Sequence, residues 1–112
     1  MPFDALPEGL VSDIVKLRMA RDGIAGGWQK GALGLEDDTR HCVIGWLLEA
    51  ADWDAREATR LLVNYVYPAL PEKAKAAAKD RVRAVYTFND GRHSKRPLIQ
   101  LLDAAIKLAE PV

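Results

Sequence analysis

Apolar residues recur at helical spacing in five stretches of the chain, and no window holds four or more clean alternations of the kind a half-buried strand requires. The pattern predicts an all-α fold, a single-domain bundle of about five helices over residues 1–112. The first helix is expected from about Pro7 or Glu8 to Arg21, with Leu10, Val11, Ile14 and Leu17 on one stripe and Gly23 just past its end as a C-cap. Val43, Ile44, Leu47, Leu48 and Ala51 mark the second, preceded by acidic residues where the helix dipole favours negative charge. A third is expected to start at Asp54, capped by that carboxylate with Glu57 completing a capping box. It buries Ala58, Leu61, Leu62 and Tyr65 before Pro68 and Pro71 bracket its exit. The fourth, about Pro71 to Thr87, is rich in Ala and Lys, and its thin stripe of Ala74, Ala78, Val82 and Val85 suits the edge of a bundle. Ser94 is the expected N-cap of the fifth, Pro97 its first-turn proline, and Leu98, Ile99, Leu102, Ala105, Ile106 and Ala109 its inward face. The core read from these stripes is Leu10, Ile14, Leu17, Val43, Leu47, Leu61, Leu62, Val82, Val85, Leu102 and Ile106.

Between the first two helices, Gly23 to Thr39 reads as a long connection with glycine at 23, 26, 27, 31 and 34, too many for a stable regular element. Its Gly-rich start has neither the GxxxxGK[ST] spacing nor the preceding strand of a phosphate loop, so nucleotide binding is not expected there. Trp28 is expected to fold back onto the core instead.

Composition narrows the class. A chain with 49% hydrophobic and 29% charged residues is that of an ordinary globular domain, and 112 residues leave little room for a second. A single cysteine, Cys42, forbids an internal disulfide and cannot build a Cys₂His₂ or Cys₄ zinc site, so neither metal nor cofactor is expected. The start of the chain lacks a basic region followed by an apolar one, and no stretch reaches the roughly 18 apolar residues of a membrane span. The expected location is a reducing cytoplasm. The zero net charge hides a division: residues 1–57 carry six cations and eleven anions, and residues 73–96 carry eight cations against Asp80 and Asp90. Such a split marks either a basic patch for a polyanion or two segments that face each other or a second copy of the chain.

Four sets of residues carry candidate chemistry. Cys42 is expected in the first turn of the second helix, where backbone N–H groups favour a thiolate, and with His93 and Asn89 or Asp90 it supplies the residue types of a cysteine-hydrolase triad. The alternative for Cys42 is packing, since cysteine is among the most buried residues. Lys75, Lys79 and Arg83 are spaced by four, and Arg92, Lys95 and Arg96 follow, a candidate surface for polyanion phosphates without base reading. Glu36, Asp37 and Asp38 offer three carboxylates without cation-loop spacing, and Phe88-Asn89-Asp90-Gly91 has the composition of a tight turn.

At Trp28-Gln-Lys-Gly31-Ala32, Cys42-Val-Ile-Gly45-Trp46-Leu47, Phe88-Asn89-Asp90 and Leu101-Leu102-Asp103-Ala104-Ala105-Ile106, the chain resembles a family of short bacterial and phage helical proteins known only as a domain of unknown function. The likeness spans about Trp28 to Leu108, with 53–80 unmatched, and Trp46 stands where that family more often has a small residue. The resemblance implies no activity. It does imply that Cys42, the Asn89-Asp90 segment and His93 lie near one another. The expected function is a small non-enzymatic protein that binds a partner, most simply another protein or its own copy. The alternatives are a polyanion binder without sequence preference and a hydrolase or transferase using Cys42 with His93.

Overall fold

A computed structural model describes residues 8–28, 41–92 and 94–110, with side chains from Ser12 onward. Six helices form the described chain, α1 (Glu8–Gly26), α2 (Val43–Ala50), α3 (Ala55–Leu61), α4 (Glu72–Ala76), α5 (Arg81–Asp90) and α6 (Arg96–Ala109). The all-α class is as expected, and the sixth helix comes from the fourth stripe, which breaks in two. Among the described residues, backbone pairing of the strand kind is limited to one parallel bridge between Trp28 and His41. The long α1 packs chiefly on α6 and α2. Leu17, Ala20 and Ile24 of α1, Val43 and Leu47 of α2, Leu61, Leu62 and Val66, Val85 of α5, and Leu98, Leu102 and Ala105 of α6 share the core. Of the expected core, Ile14 and Val82 are half-buried against its margin and the Leu10 side chain lies outside the described residues. Leu101, absent from the expected stripe, is buried.

Gly23 does not end the first helix. It lies inside α1, and the indole of Trp46 rests where a side chain would be: a Cβ on Gly23 would sit 2.2 Å from Trp46 Cε3. The glycine is needed for close approach, which offsets its poor helix propensity of about 1 kcal/mol. Trp46 Nε1 donates to the Gly27 carbonyl at 2.7 Å, so one side chain of α2 lies along the last turn of α1.

Asp54 caps α3 by accepting from the backbone N–H groups of Arg56 (3.0 Å) and Glu57 (3.2 Å). The expected capping box does not close: the Asp54 N–H donates to the Ala51 carbonyl, and the Glu57 carboxylate is held by Lys16 and Arg60. From α3 the chain continues without a break through a π turn, Leu62–Val66, and a last α turn, Tyr67–Ala69. Pro68 explains the widening, because it has no N–H to give to the preceding turn and its ring crowds that turn's carbonyl. The Tyr67 N–H accordingly donates one residue further back, to the Leu62 carbonyl.

The stretch expected to be one fourth helix is interrupted at residues 77–80, where Asp80 caps α5 by accepting from the Arg83 N–H at 3.0 Å. A capping aspartate outweighs the helix propensity of the alanines around it, which is a weak preference summed over few residues. The Phe88-Asn89-Asp90-Gly91 segment is likewise not a tight turn. Asn89 and Asp90 are the last residues of α5, and Gly91 follows with φ −79°, a conformation open to any residue. Ser94 precedes the start of α6 by two residues. The N-cap position is Lys95, whose side chain makes no capping bond, and Pro97 occupies the first turn as expected.

Candidate functional site

The residues grouped by the sequence meet at one junction. Asn89 is 1% exposed, and its Oδ1 accepts from Trp28 Nε1 at 2.8 Å and from the Val43 N–H at 3.1 Å. The second bond satisfies one of the donors that the start of α2 leaves without a helical partner. Because Trp28 follows α1, Val43 opens α2 and Asn89 ends α5, one amide oxygen ties three elements. Two N–H donors on the same atom require it to be the oxygen, which fixes the orientation of the amide. Asn89 Nδ2 in turn donates to Asp90 Oδ1 at 3.3 Å. The expected proximity of Cys42 to the Asn89-Asp90 segment is therefore realised through Val43.

Cys42 is the N-cap of α2 rather than part of its first turn. Its Sγ accepts from the Gly45 N–H at 3.5 Å, and the residue is 1% exposed. Burial pushes the thiol pKa up, against the smaller lowering effect of the backbone N–H groups of Gly45 and Ile44. A sealed, neutral thiol is placed to cap and fill space, and an external electrophile has no path to it. His93, the expected base, lies outside the described residues, as do Glu36, Asp37 and Asp38. Among the described residues, no three His, Cys, Asp or Glu side chains converge as metal ligands would.

The cations expected to form one surface come from several elements. Lys75 belongs to α4 and pairs with Glu72 at 3.3 Å, Lys79 lies in the interruption, and Arg83 belongs to α5, so no single helix face carries the three. Lys95 Nζ donates to the Ala25 carbonyl near the end of α1, Arg96 is exposed, and Arg92 lies over the Phe88 ring with Cζ 4.6 Å from its centroid.

Two clusters were not legible as sites in the sequence. The first surrounds His41, which is fully buried with neither ring nitrogen hydrogen-bonded among the described residues. Its ring meets the edge of Trp46 with centroids 4.6 Å apart, and Glu49 Oε1 stands 3.6 Å from Nε2, beyond hydrogen-bond reach. Trp53, which donates to the same Glu49 oxygen at 3.1 Å, lies across the imidazole with centroids 6.3 Å apart. Asp52 and Trp53 have φ of 56° and 61°, two consecutive left-handed residues without glycine. The second cluster joins α1 to α3. Asp13, 3% exposed, accepts two bonds from Arg60 and one from Tyr65 Oη at 2.6 Å. Arg60 also holds Glu57, which Lys16 reaches at 3.0 Å. The hydrogen bonds from Arg60, opposed by burial and aided by Tyr65, lower the Asp13 pKa, and Arg60 with Lys16 brings Glu57 down to about 2. The nearest sequence signals were the left-over polar residues on apolar stripes, Asp13 between Ile14 and Leu10 and His41 before Cys42. No described helix is long and apolar enough to cross a membrane. Comparison of the chain with protein families, with curated proteins and with solved structures gives no match.

Proposed function

We propose that this chain is a non-catalytic helical binding module whose partner is another protein. The observation that carries the proposal is Trp53. A bulky aromatic in the left-handed region costs about 1–3 kcal/mol, and strain of that size persists where the surroundings over-determine it and where it serves a site. Here the strained turn holds an indole 42% exposed, with its N–H already fixed by Glu49 and its edge supported by the buried His41 ring. A large aromatic held in one orientation loses little further freedom on contact, which is why tryptophan is enriched among residues that dominate protein interfaces. The hydrolase alternative has no comparable support, because Cys42 is sealed, and the polyanion alternative has lost its continuous helix face.

The test compares proteins retained by the immobilised wild type and by Trp53→Ala, with circular dichroism verifying that the variant is folded. A protein held by the wild type and lost with Trp53→Ala supports the proposal, as does concentration-dependent self-association that the substitution abolishes. Identical retained sets, together with binding of a labelled duplex that falls steeply with salt and ignores Trp53, would favour the polyanion reading instead.

A further inference from the structure

Between α4 and the last turns of α5 lies a cavity of about 390 Å³. Its volume is within the range of about 300–1,000 Å³ typical of small-molecule sites. Ala74, Ala77, Ala84, Phe88 and Thr87 are among the residues that line it. Among the described residues that line it, the charged ones are Lys73 and Arg92. Neither cation makes an ion pair among the described residues. Arg92 is the more constrained of the two, because its guanidinium lies over the Phe88 ring.

We infer that this cavity is a binding site for a small hydrophobic monocarboxylate, with the carboxylate on the Arg92 guanidinium and the apolar body against Phe88, Ala74 and Ala84. The planar fork of arginine matches a carboxylate bidentately, and the ring beneath it holds the fork in place. Lys73 adds a second positive charge and Thr87 a hydroxyl donor, whereas the apolar walls disfavour an ion without a hydrophobic body. The site does not draw on Trp53, so it stands apart from the partner proposed above.

Titration of the ¹⁵N-labelled chain with octanoate, followed by nuclear magnetic resonance, tests it on the protein alone. Expected are saturable shifts at the amides of Ala84, Thr87 and Phe88 and at Arg92 Nε–H, with a Kd on the order of 0.1 mM. Octanol, the same body without the charge, should bind at least about 10-fold more weakly, and inorganic phosphate should not displace octanoate. Arg92→Gln should weaken octanoate by about 10- to 100-fold, the loss of a charge-assisted bond, and leave octanol unchanged. Ala77→Trp, which places a ring into the same cavity, should abolish both. Equal affinity for octanol and octanoate, an Arg92→Gln variant that binds octanoate as tightly as wild type, or shifts confined to α1 and α6 would each overturn the inference.

Discussion

Asn89 does at the residue scale what the fold cannot do with apolar contacts alone. Its side-chain oxygen is shared by a partly buried indole and a buried helix-start amide from distant parts of the chain. Truncation leaves two donors without an acceptor, and each such group costs about 1–3 kcal/mol. Asn89→Ala is therefore expected to lower unfolding stability by about 2–5 kcal/mol in urea denaturation. Trp28→Phe removes one of the stranded donors in advance, so the double variant should lose less than the sum of the two single losses, by about 0.5–3 kcal/mol. Strict additivity would show that the Trp28 bond contributes nothing. A feature of this kind is nearly invisible in the sequence. Asn-Asp-Gly has the composition of a turn, and only the tertiary position of Val43 and Trp28 converts the asparagine into a lock at the end of a helix.

At the scale of elements, stripes with one strong periodicity were legible and breaks within them were not. α2 and α6 begin within two residues of expectation because large apolar side chains at helical spacing leave one register. α4 and α5 were merged because alanine-rich residues are permissive, and the deciding contact is one bond from Asp80 to Arg83. The extension of α1 through Gly23 was hidden for the opposite reason, since a glycine that admits a tryptophan looks in sequence like one that ends a helix. The pairing of α1 with α3 carries a pH dependence that follows from the two lowered carboxylates. A carboxylate with a folded pKa below its unfolded value adds stability above the unfolded value, and that stability is lost as pH falls through the folded one. For Glu57 the window runs from about 4.5 to about 2, and Asp13 acts in the same direction. Urea midpoints should thus fall as the pH drops below about 4. Arg60→Gln leaves Asp13 buried without its main partner. It should cost about 1–3 kcal/mol at pH 7, a figure moderated by the 41% exposure of the Arg60 side chain, and flatten the acid decline. Parallel pH profiles for variant and wild type would show that Arg60 does not hold these carboxylates down.

For the molecule as a whole, Cys42 is a reporter of opening. A thiol sealed in the junction of three elements reacts only after those elements separate. With an ordinary domain stability of about 5–10 kcal/mol, alkylation by iodoacetamide should be slowed by about four to seven orders of magnitude relative to the unfolded chain. Its rate should rise with urea in step with global unfolding, and fast modification without denaturant would mean that the start of α2 opens on its own. The same architecture sets a schedule for biosynthesis. The apolar stripe of α1, Leu17, Ala20 and Ile24, has its principal partner in α6, which is made about seventy residues later. At roughly 5–20 residues per second, that partner is synthesised some 4–14 s after α1 itself. Through that interval α2 is the only described major neighbour already synthesised that can cover the stripe, so a nascent chain stalled before Arg96 should present α1 to chaperones while the released chain should not.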